Sequence, residues 1–146
     1  MKKIVIFDFN RTMYDPDSKC LVRGARFVLR ILLRRGFNLY LISRAGQSRR
    51  WLIENLGIKQ YFSRIIIARE KSRKDFERIV QSQSIIRSSS FVVGDRVRKE
   101  ISIGNALGLQ TIWVRAGKFA NELPRKIIER PTHTVAELRD VLRIVH

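Results

Sequence analysis

The first apolar run of the sequence lies in the stretch Met1-Lys2-Lys3-Ile4-Val5-Ile6-Phe7-Asp8-Phe9-Asn10-Arg11-Thr12. Its basic start resembles the head of a signal peptide, but the apolar run ends at Asp8 after four residues, too few for a leader's hydrophobic segment. It reads instead as a buried strand that delivers a carboxylate at its carboxyl end. The pattern recurs: strands are predicted at Ile4–Phe9, Asn38–Ser43, Arg64–Ala68, Phe91–Gly94 and Gln110–Val114, each an almost unbroken apolar run of the kind found when both faces of a parallel sheet are covered.

Helix-period segments separate these runs. Arg23–Arg35 carries Phe27, Val28, Ile31 and Leu32, with Gly36 where a left-handed cap belongs. Ser48–Leu56 ends at Gly57. Ser72 and Asp75 have capping-box spacing and open Arg73–Gln83, with Phe76, Ile79 and Val80 facing inward. Val97–Leu107 follows the fourth strand. In the tail, Thr134 and Glu137 have the same capping-box spacing, and Val135, Leu138, Val141, Leu142 and Val145 form one stripe, so Thr134–Val145 is predicted as a helix packed on the sheet. Strands alternating with helices predict an α/β fold with a central parallel sheet. At 146 residues, with no long linker, residues 1–146 are expected to form a single domain.

A 45% hydrophobic share with three Pro and eight Gly excludes a disordered, fibrous or low-complexity chain. Charge is the outlier, with 30 Lys+Arg against 13 Asp+Glu, a net +17. Arg outnumbers Lys 21 to 9, and Arg is the better bidentate ligand for phosphate. Such a surface attracts any polyanion through counterion release, which makes nucleic acid a possible partner, although no zinc finger, RNA-binding signature or basic zipper is present. Arg23, Arg26, Arg30 and Arg34 read as a solvated helix face. Arg44, Arg49 and Arg50 follow the second strand and lie nearer any site at the sheet edge. The lone Cys20 excludes an internal disulfide and a Cys-rich zinc site, and the default location is the reducing cytoplasm, with no membrane association.

Open α/β sheets bind ligands beyond the carboxyl ends of their strands. The polar residues there are Asp8-Phe9-Asn10-Arg11-Thr12, Ser43-Arg44, Lys71 before the third helix, and Gly94-Asp95 with Glu100. Two strand-end carboxylates, Asp8 and Asp95, with a hydroxyl and a lysine suit phosphoryl transfer. One carboxylate can attack phosphorus, another can hold Mg²⁺ through hard oxygen contacts, and Ser43 and Lys71 can stabilise phosphoryl charge.

These residues, in this order, resemble the signature of the haloacid dehalogenase-like (HAD) hydrolases: Asp-x-Asp-x-Thr after the first strand, Ser or Thr after the second, a Lys, then Gly-Asp with a further acid about five residues on. The matches are Asp8 and Thr12, Ser43, Lys71 or Lys74, and Asp95 with Glu100, and the stretch from Val93 to Val114 is also family-like. The resemblance implies a three-layer Rossmann-like fold of about five strands in the order 5-4-1-2-3. It makes Asp8 the nucleophile and a Mg²⁺ ligand, Asp95 a second ligand, and the Asn10 backbone carbonyl a third. Glu100 would orient metal-bound water, Ser43 and Lys71 would bind the phosphoryl group, and Thr12 would brace the loop. Lys71 is preferred to Lys74 because it precedes the helix start.

Two residues depart from the pattern. Asn10 stands where the family's phosphatases have the general acid, and an amide cannot supply a proton. Arg11 stands where glycine is common, and with Arg44 it is a candidate for gripping substrate. Only 34 residues separate Asp8 from Ser43 and 27 separate Ser43 from Lys71, so no cap domain is expected in either interval. The resemblance thus implies the capless branch, with an open site for macromolecular substrates, or for small ones lidded by a neighbouring subunit of a homo-oligomer. The expected function is Mg²⁺-dependent phosphomonoester hydrolysis through an aspartyl-phosphate. The alternative is a catalytically weakened relative that binds phosphorylated ligand, nucleic acid or a protein partner through its basic surface.

Overall fold

A computed structural model describes residues 1–146. Its centre is a parallel sheet of six strands: β1 (Ile4–Asp8), β4 (Asn38–Arg44), β5 (Arg64–Ala68), β6 (Phe91–Gly94), β7 (Gln110–Val114) and β8 (His133–Val135), in the order β5-β4-β1-β6-β7-β8. The five predicted strands take the order the resemblance implies. The sixth, β8, was not anticipated and lies at one edge. A small antiparallel hairpin, β2 (Tyr14–Asp15) and β3 (Cys20–Leu21), follows β1 directly.

Alternation along β1 explains the layers. Val5 and Phe7 point into a core shared with Val28, Leu29 and Leu32 of helix α1 (Ala25–Arg34) and with Leu138, Val141 and Val145 of the tail. Ile4 and Ile6 point the other way, into a core with Phe76, Ile79 and Val80 of α3 (Arg73–Gln81). Each fully buried side chain of this size contributes about 1.5–3 kcal/mol. Helix α2 (Arg49–Asn55) ends at Gly57, and Arg26 caps its last turn by donating to the Gly57 carbonyl at 3.0 Å. Asp75 accepts the Ser72 backbone N–H at 2.9 Å, the predicted capping box.

The tail departs from expectation. Thr134 is not a helix cap: it pairs with Trp113 in parallel as the middle of β8, which satisfies the free edge of β7. Only Leu138–Arg143 is helical, and it is a 3₁₀ turn. Leu138 and Val141, three apart, reach the core equally well from 3₁₀ or α geometry, so the apolar stripe did not discriminate between them. The Arg35 guanidinium accepts the role of terminal partner, donating to the Leu142 and Val145 carbonyls at 2.7 and 2.6 Å. A second difference concerns Val97–Leu107, which begins as a π-helical turn, Val97–Ile101, and becomes α4 only at Ser102–Ala106. No helix is long and apolar enough to cross a membrane.

Candidate active site

β1 lies in the middle of the sheet with β4 on one side and β6 on the other, so the ends of these three strands open onto one crevice. Asp8 is the last residue of β1, Asp95 follows β6, and Lys71 sits two residues before α3. Glu100 arrives from the π-helical turn. Gly94 makes room for it: a Cβ there would lie 2.9 Å from the Glu100 Cβ and 3.0 Å from its Oε2.

Asp8, Asp95 and Glu100 are all buried, and one carboxylate oxygen from each lies within 4.8 Å of the others. Lys71 bridges two of them, its Nζ contacting Asp8 Oδ1 and donating to Glu100 Oε1 at 2.6 Å. Lys74 is exposed and does not line the cleft or pair with these carboxylates. Thr12 Oγ1 donates to Asp8 Oδ2 at 3.4 Å from a fully buried position. The Trp113 indole N–H anchors the Asp95 backbone carbonyl at 2.9 Å. Ser43 is buried beside Asp8, its hydroxyl donating to the Arg44 carbonyl at 3.0 Å.

Three carboxylates against one ammonium leave this pocket with surplus negative charge. Burial pushes the Asp8 carboxyl up to about 6, with Asp95 adding to the rise and Lys71 opposing it. Burial likewise lifts Asp95 to about 6, helped by repulsion from Glu100. Glu100 rises to about 7 through burial and the neighbouring Asp8. Burial works against the charge of Lys71, but Asp8 and Glu100 outweigh it and hold the ammonium above the ordinary lysine value. Glu100 Oε2 is buried with no hydrogen-bond partner. An orphaned carboxylate oxygen beside two further buried carboxylates is a donor set suited to a hard divalent cation.

Above the cluster a cleft of about 340 Å³ is lined by Asp8, Asn10, Lys71, Asp95 and Glu100 at its base. Arg11, Arg44, Arg96, Lys99 and Lys118 ring its mouth, with Glu70 and Phe119. Of the residues expected at the site, Asp8, Asn10, Arg11, Arg44, Lys71, Asp95 and Glu100 meet in this cleft, while Thr12 and Ser43 stand buried behind it. Arg50 lines a different hollow with Ile53 and Phe62. Arg49 packs 4.9 Å over the Phe9 ring and donates to Asn10 Oδ1 at 3.5 Å. Arg96, Lys99, Lys118 and Phe119 were not singled out from the sequence. Arg96 directly follows Asp95 at the end of the fourth apolar run, which is a sequence signal for it, whereas Lys118 and Phe119 lie beyond the fifth run in a loop whose path the sequence does not encode locally.

The HAD-hydrolase-like family model matches residues 69–141, half of the chain. This chain belongs to the HAD-like hydrolases. A glyceraldehyde 3-phosphate phosphatase from Pyrococcus furiosus is 25% identical over 130 residues, covering 85% of this chain and 54% of that protein. This HAD-like chain therefore spans about half the length of the curated relatives it matches. Among solved structures, an uncharacterized protein from Listeria monocytogenes serotype 4b superposes with a TM-score of 0.80 at 20% identity, covering 97% of this chain and 96% of that one. YfnB from Bacillus subtilis, solved with magnesium bound, gives a TM-score of 0.68 at 20% identity, over 86% of this chain and 56% of that one. These likenesses establish the HAD-like fold.

Proposed function

We propose that this chain is a Mg²⁺-dependent phosphatase that works through an aspartyl-phosphate on Asp8, in a single domain without a cap. The observation that carries this reading is the convergence of Asp8, Asp95, Glu100 and Lys71 at the base of a cleft ringed by cations. Asp8, Asp95 and Glu100, with the Asn10 backbone carbonyl, would hold the cation, which when bound neutralises carboxylate and phosphoryl charge so that the two anions can meet.

The chain's own residues supply the rest. Asp8 attacks phosphorus as a carboxylate, held in place by Thr12. Lys71 lies against the nucleophile and offers its ammonium to the phosphoryl oxygens, where developing charge is best stabilised by a preorganised donor. Ser43 lies at the end of the adjacent strand, and its hydroxyl would turn from the Arg44 carbonyl to the phosphoryl group. Arg11 and Arg44 meet the remainder of the substrate. The open cleft admits a phosphorylated small molecule or the end of a larger one, including nucleic acid, and a cytoplasmic location suits both. A second copy of the chain could lid a small substrate.

Asn10 favours a second reading. It cannot protonate a leaving group or activate water, and loss of a positioned general acid costs roughly 10²–10⁴-fold in rate. A chain so disarmed could serve as a binder of phosphorylated ligands, nucleic acid or a protein partner. Release of phosphate from an aryl phosphate separates the two, because an aryl leaving group needs little protonation. Mg²⁺-dependent turnover by the native chain, abolished by EDTA, is expected for the enzyme. Silence in the native chain with turnover in Asn10→Asp would identify the binder.

A further inference from the structure

Three features of the cleft are not explained by hydrolysis of a simple phosphomonoester. The first is the amide at Asn10. Its Oδ1 accepts from Arg49 at 3.5 Å, which leaves the Nδ2 end to donate a hydrogen bond but no proton. The leaving group must therefore depart as an anion. An alkoxide does so poorly, whereas a phosphate oxygen, whose second pKa is about 6, needs no proton near neutrality.

The second feature is the cation cluster around Phe119. Arg96, Lys118 and Arg11 lie 4.1, 5.5 and 5.7 Å from its ring centre. Arg96 is held by Glu122 at 2.7 Å, whereas neither Arg11 nor Lys118 makes a direct ion pair, the nearby Asp15 acting on Arg11 only at longer range. Two unpaired cations beside a third, at the mouth of the cleft, are stabilised by an anion placed among them.

The third is the backbone at Arg11. Its φ of 62° lies in the left-handed region, where an arginine carries a conformational cost that glycine does not. Strain of this kind at a cleft points to a use for the side chain.

We propose that the substrate is a phosphoanhydride, inorganic pyrophosphate or the end of a nucleoside polyphosphate, whose leaving phosphate is received by Arg11 and Lys118 beside Phe119. The inference rests on the phosphatase reading above. Asp8 Oδ forms a bond to the terminal phosphorus as the bridging P–O bond breaks. The bond's electron pair stays on the bridging oxygen, which departs as a phosphate or polyphosphate oxyanion paired with the two cations. Water oxygen then bonds to phosphorus and the Asp8–phosphorus bond breaks. Asp8 returns as a carboxylate, and the water proton passes to a phosphoryl oxygen, so inorganic phosphate is released.

Steady-state turnover of pyrophosphate, ATP, 4-nitrophenyl phosphate and glycerol 2-phosphate by the full chain in Mg²⁺ tests this, alongside the double variant Arg11→Gly/Lys118→Gln. The expected kcat/KM for pyrophosphate or ATP exceeds that for glycerol 2-phosphate by about 10²-fold or more, the general-acid contribution that the anhydride does not need. The double variant should lower anhydride turnover at least tenfold more than aryl turnover. Preference for pyrophosphate assigns the inorganic substrate, and preference for ATP the nucleotide. Calorimetry supplies a readout free of catalysis: methylenediphosphonate should bind Asp8→Asn at least tenfold tighter than phosphate does, an advantage lost in Asp8→Asn combined with the double variant. Aryl turnover with no anhydride preference, or equal losses on both substrates, overturns the inference and leaves the phosphatase reading standing. Silence on every substrate overturns both.

Discussion

The base and the mouth of the cleft are built on opposite principles. At the base, three buried carboxylates gather around Lys71, which pairs with Asp8 and Glu100, and each member is fixed by a strand end, a hydrogen bond or a glycine that lets it close. At the mouth, Arg44, Lys99 and Lys118 are open to water and Arg11 is half-buried, and none of the four makes a direct ion pair with a carboxylate. The contrast separates chemistry from selection. Buried charges that sense one another strongly are suited to bond making, whereas exposed cations are screened and suited to sorting ligands.

Asn10 lies between the two regions, and altering it should have the largest effect. Asn10→Asp is expected to raise turnover of alkyl phosphates by about 10²–10⁴-fold while changing aryl phosphate turnover far less, as measured by phosphate release. Equal gains on both would mean that the amide does not limit leaving-group departure.

The base should be costly to unpair and the mouth cheap. Lys71→Met strips the counter-charge from two buried carboxylates, and chemical denaturation at pH 8 without metal should register a loss of about 3 kcal/mol. Lys118→Gln should change stability by less than about 0.5 kcal/mol. Similar values for the two would erase the distinction.

Acidity offers a subtler probe. Asp8, Asp95 and Glu100 have folded values of about 6, 6 and 7, above their ordinary 3.8, 3.8 and 4.5. The folded state therefore holds protons that the unfolded state has released, and metal-free stability should fall as pH rises from about 4 to 7. Lys71 is charged throughout that window and does not offset the trend. Mg²⁺ should consequently raise Tm more at pH 8 than at pH 5, as thermal scans would register. A larger effect at pH 5 would place the cation elsewhere.

A modest change of opposite sign is expected at Arg11. Arg11→Gly removes a left-handed arginine and should stabilise the fold by about 1 kcal/mol even as it weakens anion binding. A loss of stability would show that the arginine contacts outweigh its strain.

The base was legible in the sequence for a physical reason. Asp8, Lys71, Asp95 and Glu100 each sit at or near the end of an apolar run, and the parallel sheet gathers such ends at one edge. The strands β5, β4, β1, β6 and β7 were legible for the same reason, since strands of a covered sheet are written as continuous apolar stretches. The tail was not: β8 is three residues long and half exposed, and Leu138 and Val141 satisfy two helical geometries alike. The π-helical turn that brings Glu100 inward reads like any other helix start. Nor does local sequence reveal that Lys118 and Phe119, beyond β7, fold back beside Arg11, because that contact depends on the path of a loop rather than on a period.

The proposed nucleophile, Asp8, would leave a covalent signature. Intact-protein mass spectrometry of the chain, quenched in acid during turnover of an aryl phosphate with Mg²⁺, tests it most directly. With no base at position 10 to speed its hydrolysis, a phosphoryl group should accumulate on Asp8, be removed by hydroxylamine, and be absent from Asp8→Asn. Phosphate release without any phosphorylated chain, or the same adduct in Asp8→Asn, would contradict the account.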